Sequence, residues 1–160
     1  MPDLERSSGG GVPEVHLRPA QTADSAPIAE LSGTLGYPVS ETAVAERLDR
    51  LLPRESDVIL VAEGADGRIV GWIHGGELDL LESGRRGEIL GLVVDPEHRN
   101  QGIGRMLVEA VESWAVNRGH HMISVRSNVL RPEAHPFYER LGYRRVKTQH
   151  VYRKGLIIKD

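Results

Sequence analysis

Arg99, Gly102 and Gly104 stand in the order Arg-x-x-Gly-x-Gly, within the stretch VVDPEHRNQGIGRMLVEAVESW over residues 93–114. An apolar strand end leads into this polar loop, and an amphipathic helix leaves it. Glycines at such places let a backbone turn tightly and approach a ligand closely. The helix opens with unpaired N–H donors and the positive end of its dipole. The chemistry on offer is therefore anion binding, best matched to a phosphate or pyrophosphate. Two common phosphate loops do not fit. No Lys-Ser or Lys-Thr follows Gly104, as a P-loop requires, and Leu107 stands where a dinucleotide fingerprint needs its third glycine. A surface turn that only caps the helix is the competing reading.

Other reactive side chains are few. The chain has no cysteine, which excludes disulfides, thiolate catalysis and thiolate-bound metals. No histidine pair stands at metal-ligand spacing with carboxylates, so no metal is expected. Lys plus Arg total 20 against 23 Asp plus Glu, a net charge of −3, which makes no electrostatic case for nucleic acid or an anionic membrane. No apolar run approaches the ~18 residues of a membrane span. Met1 to Glu14 carries no apolar core of a signal peptide, so a cytoplasmic protein is expected.

The elements that must position the loop read out in order. Residues 1–13 are polar and rich in Ser and Gly, and are expected to form a flexible tail before one domain over residues 14–160. Val15 to Arg18 is a short strand ended by Pro19, and Asp24 or Ser25 can cap a helix to about Leu35. A second helix starts at Ser40, with Val44, Leu48, Leu51 and Leu52 as its stripe. Val58 to Ala62 is a strand buried on both faces, and Ala65-Asp66-Gly67 turns it into a returning strand over Arg68 to Gly76, with Leu78 to Leu81 as an extension. Ser83 to Gly87 reads as a mobile basic loop, and Glu88 to Val94 as the strand that delivers the chain to the glycines.

Within that strand Gly91 marks a bulge or a close backbone approach, or else makes room for a neighbouring side chain. Ile103, Met106, Leu107, Ala110, Val111 and Trp114 line one face of the long helix, which Gly119 stops. His121 to Arg126 is a strand, Ala134 to Leu141 a short helix, and Tyr143 to Lys147 and His150 to Lys154 are final strands. The fold class is α/β or α+β, with a single central mixed sheet and helices on its faces. Pattern alone leaves the strand order open.

The glycine loop and three further ordered segments then resemble the GNAT superfamily of acetyltransferases. Arg99 to Gly104 is similar to its pyrophosphate motif. VAEGADGRIVGWI, from Val61 to Ile73, is similar to its second hairpin, and Glu88 to Val94 with Asp95-Pro96-Glu97-His98-Arg99 to its fourth strand and connection. Arg131 to Tyr143, RPEAHPFYERLGY, is similar to its "A…FYE.LGF/Y" segment. The likeness runs from Val15 to Lys154. It implies a mostly antiparallel sheet with helices on both faces. It also implies acetyl transfer from acetyl-CoA to a primary amine, of a small molecule or of a protein or peptide, with no covalent enzyme intermediate. A non-catalytic acyl-CoA-binding module is the alternative, and homodimers are common in the superfamily.

The resemblance also implies roles. Arg99, Asn100, Gln101, Gly102, Ile103, Gly104 and Arg105 would cradle the pyrophosphate. Leu92, Val93 and Val94 would pair by backbone with pantetheine where the fourth strand splays from the fifth. An N–H of Leu92 or Val93 would polarise the thioester carbonyl. Tyr138 would protonate the leaving thiolate, and Glu88, eleven positions before Arg99, would act through water as base for the amine. His135, one turn before Tyr138, would orient it, bind substrate or relay a proton. Glu30 and Glu77 are weaker candidates for the base. One position departs from the pattern: the pantetheine-contacting Asn found seven residues before the tyrosine is Arg131 here, and Asn128 sits three residues earlier. Either Asn128 makes that contact or Arg131 meets a CoA phosphate instead.

Overall fold

Apolar runs divided by turn residues assemble into one sheet, as their spacing demands. In a computed structural model describing residues 14–127 and 133–159, five strands pair in the order β1-β2-β3-β4-β5. β1 (Val15–Pro19), β2 (Asp57–Gly64), β3 (Ile69–Leu80) and β4 (Gly84–Val94) are successive antiparallel neighbours. β5 (Ile123–Val125) lies parallel to β4, which makes the sheet mixed. The helices are α1 (Ser25–Thr34), α2 (Glu41–Leu51), α3 (Ile103–Asn117) and α4 (Ala134–Arg140). The chain forms two compact units, the first ending at Arg126 and containing the sheet with α1 to α3, the second starting at Ser127 and containing α4. The expected tail, residues 1–13, lies outside the described residues.

Each face of the sheet has its own helical cover. Ser40 caps α2 by accepting the Ala43 N–H at 3.1 Å, and Val44 and Leu48 then pack with Ile28 and Ala29 of α1 over Ile59 and Val61. On the other face α3 buries Ile103, Leu107, Val108, Val111 and Ala115. Removing such a side chain from water is worth roughly 1.5–3 kcal/mol. α3 lies very close to β3 because Gly75 has no side chain. A Cβ there would stand 2.6 Å from Val111 Cγ1.

Two expectations at the strand ends need correction. Ser83 to Gly87 is not a loop beyond its first residue: Gly84, at φ 76°, turns the chain, and the ladder runs from Leu80–Gly84 to Gly76–Glu88. The basic residues are held rather than mobile. Arg86 Nε donates to Ser124 Oγ at 2.9 Å, and Arg85 stands 3.7 Å from the Glu77 carboxylate. The strands expected over Tyr143–Lys147 and His150–Lys154 do not form, and residues 143–159 have no regular structure. Alternation prepares a segment for a sheet, but a strand also needs a paired neighbour. The described residues of the second unit contain no strand, and a lone hairpin is marginal in water.

An ion cluster ties β1 to the start of α1. Arg18 donates to both oxygens of Asp24, at 2.8 and 2.9 Å, and to Glu63 at 2.6 Å. Asp24 also accepts the Gln21 N–H at 2.7 Å. The Arg18 hydrogen bond holds the Asp24 carboxyl below the usual range, against the opposing effect of burial. Its contribution is complete above the unfolded carboxylate pKa of ~3.9 and is lost as pH falls through the lowered folded value. Arg18→Met should therefore cost about 3 kcal/mol in urea unfolding at neutral pH, because a buried carboxylate loses its partner. Asp24→Asn should flatten the acid side of the stability curve, and an unchanged acid limb would show that other carboxylates control it.

Candidate active site on the fourth strand

The register between β3 and β4 breaks at one place. His74 pairs with Gly91 and Gly75 with Ile89, so Leu90 is an extra residue in β4. A bulge of this kind bends its strand and leaves the extra residue unpaired. Here it coincides with the loss of the other neighbour. Among the described residues, β4 pairs with β5 through Gly87, Glu88 and Ile89. From Leu90 to Val94 no strand among the described residues pairs with the β5 side of β4. Leu92, Val93 and Val94 stay hydrogen-bonded to β3 through Ile73, Trp72 and Gly71, so this open edge is rigidly held.

The edge leads directly to the glycine loop. Asp95 anchors the exit, donating its N–H to Val70 O at 2.8 Å and accepting the Glu97 N–H on its side chain at 3.0 Å. Asn100 (φ 63°) and Gly102 (φ 81°) both take left-handed conformations, and Gly102 is the N-cap of α3. The first α-helical bond runs from Met106 N–H to Gly102 O at 3.0 Å. No side chain caps the helix, so the N–H groups of Ile103, Gly104 and Arg105 face outward as donors. A Cβ on Gly102 would meet nothing within 4 Å, so the space before these donors is open. Such a nest fits an anion such as pyrophosphate. Arg99 is exposed beside it, and Arg105 is shared with Glu109 at 2.8 Å.

Glu88 stands at the closed end of the splay, opposite Gly76 of β3 and Ser124 of β5. It is only 4% exposed, and its Oε1 lies 3.5 Å from both Ser124 Oγ and Arg126 Nε. A sequence reading has no means to see Ser124 or Arg126 as its neighbours, since parallel pairing across a long helix is invisible in local pattern. Glu77, the weaker candidate, falls on the α3 face with Gly87. Its carboxylate is held by Arg118 and lies 3.1 Å from His120 Nε2, so it is committed elsewhere. Arg118 in turn holds the Glu77 carboxyl below its ordinary range. Glu30, on α1, lines a separate cavity of about 390 Å³ with Arg18, Arg68 and Asp95.

In the second unit, His135 and Tyr138 lie one turn apart on α4 as expected. The Tyr138 ring packs edge-on against Phe137 and Tyr143, with centroids 5.0 and 5.8 Å away. Burial pushes the Tyr138 phenol up to about 12, which keeps its proton in place at neutral pH. Asn128 and Arg131 lie outside the described residues.

Known proteins resemble this chain. The sequence model of the acetyltransferase (GNAT) family matches residues 27–143. An aminoglycoside N(6')-acetyltransferase type 1 of Stenotrophomonas maltophilia is 28% identical over 144 residues, 88% of this chain and 93% of its own length. The crystal structure of a Trypanosoma brucei acetyltransferase has a TM-score of 0.74 at 28% identity, over 88% of this chain and 99% of that one. AAC(6')-Iy in complex with the bisubstrate analog CoA-S-monomethyl-acetylneamine has the same fold, with a TM-score of 0.77 at 18% identity over 89% and 99% of the two chains.

Proposed function

This chain belongs to the acetyltransferase (GNAT) family, and on that premise we propose that it moves the acetyl group of acetyl-CoA to a primary amine of a small molecule. The observation that carries the reading is the continuous path from the open β4 edge, Leu90 to Val94, into the donors at the start of α3. A pantetheine arm can pair with that edge as an added strand, and a pyrophosphate can rest on the nest. The small-molecule class is supported by the full-length relative, whose name describes an aminoglycoside acetyltransferase.

In this reading the backbone N–H of Leu92 or Val93 faces the thioester oxygen and stabilises the charge that develops there. Glu88, buried between three strands, takes a proton from the amine through water, and its carboxylate draws the cation in. Tyr138 supplies the proton that the departing thiolate needs, with His135 beside it on the same helix. Its role rests on the sequence match and on a phenol that stays protonated. The test is thiol release from acetyl-CoA with a panel of primary and tertiary amines. Release that depends on a primary amine supports the reading, and release indifferent to the amine removes it.

Glu88→Gln should lower turnover by about 10- to 10²-fold, most severely below neutrality. Recovery is expected at higher pH, where more of an alkyl amine of pKa ~10 is already neutral. A loss uniform across pH would move the base elsewhere.

A further inference from the structure

His74 faces the bulge from the neighbouring strand. It sits directly opposite Gly91, and Asp57 sits opposite Gly76 on the same face of the sheet. His74 Nε2 lies 2.7 Å from Asp57 Oδ1. The other Asp57 oxygen accepts from Ser56 Oγ at 3.1 Å and lies 3.3 Å from Arg54 Nε. A carboxylate so tightly placed fixes the imidazole with its proton on Nε2. In the neutral ring held this way the lone pair is on Nδ1. The His74 side chain is 20% exposed, so a small molecule can reach it.

Glu88 pairs with Gly76, two residues beyond His74, so the two side chains are diagonal neighbours on one face. The bulge places Leu90 beside them, with its side chain over Gly76. Acetylation of an alkyl ammonium removes two protons from one nitrogen. The first must leave before the lone pair can attack the thioester carbon. The second leaves as the new C–N bond forms and the C–S bond breaks, and the thiolate takes up a single proton. Two acceptors on one face match that requirement.

Resting on the transferase reading above, we propose that His74, oriented by Asp57, is a second proton acceptor for the substrate amine, working beside Glu88. The imidazole Nδ1 takes one of the two nitrogen protons and Glu88 the other, and the imidazolium is stabilised by the Asp57 charge. Asp57 is a positioning residue in this scheme, acting through His74.

The experiment compares His74→Gln and Asp57→Asn with the parent protein on two acceptors. One is an alkyl amine, protonated at neutral pH, and the other an aromatic amine, neutral there. His74→Gln should lower kcat by about 10- to 10²-fold with the alkyl amine and far less with the aromatic one, which has only one proton to shed. Asp57→Asn should follow the same order with a smaller loss, and acetyl-CoA affinity should be unchanged in both. Equal losses with both amines, or parent rates with both, would overturn the assignment. Should His74→Gln fail to fold, His74→Asn and the Asp57 variant carry the same comparison. A parent protein that acetylates no amine would overturn the transferase reading and this proposal with it, whereas a His74→Gln loss of equal size with both amines overturns only the proposal.

Discussion

Gly102→Val is expected to abolish the stabilisation that acetyl-CoA gives the parent protein in thermal unfolding. A ligand bound only by the native state raises the melting temperature by mass action, so the shift reports binding directly. Gly102 holds φ 81° at the N-cap of α3, a conformation that a β-branched residue resists. Forcing valine there costs about 1–3 kcal/mol, or else rotates the peptide that follows and turns the Ile103 and Gly104 donors away. Hydrogen bonds to a charged group are worth ~1.5–3 kcal/mol each, so losing even one or two weakens CoA by roughly 10²-fold. The core beneath is untouched, because nothing lies within 4 Å of the added Cβ. Near-ultraviolet circular dichroism should therefore match the parent. A variant that still binds CoA at parental affinity would remove the nest from the site.

Tyr138→Phe is expected to reduce kcat by about 10²-fold or somewhat less, since a thiolate is already a fair leaving group and a general acid contributes ~10²–10⁴. The ring contacts with Phe137 and Tyr143 are retained, so stability should change by roughly 1 kcal/mol at most. KM for acetyl-CoA should barely move. A loss in kcat alone is the signature of an interaction made mainly in the transition state. Turnover at the parental rate with a good amine would make Tyr138 structural.

Much of this arrangement is legible before any coordinates, and for physical reasons. The glycine loop is readable because only a left-handed backbone explains Gly102 ahead of an amphipathic helix. Gly91 is readable as a disturbance in an apolar strand, although the bulged residue proves to be Leu90 beside it. What stays hidden depends on pairing between distant segments. The Glu88–Ser124 neighbours come from a parallel register that no local period encodes. The His74–Asp57 pair needs a β2–β3 register, and in sequence each residue looks like an ordinary polar position in an apolar strand. The basic residues near Gly84 read as loop because charge dominates there, yet cross-strand partners hold them in β4. The missing strands after Tyr143 fail for the opposite reason: their alternation is intact, but the described residues of their unit form no partner strand.

The central claim is direct transfer of acetyl to an amine, and mass spectrometry of the products tests it most directly. The protein is incubated with acetyl-CoA and a primary amine in excess, and both the amine and the intact protein are weighed. The account predicts one acetyl group on the amine for each free CoA thiol, with no acetylated protein accumulating at any time. An unmodified amine beside a protein that binds acetyl-CoA tightly would contradict it, and would make the chain an acyl-CoA-binding module instead.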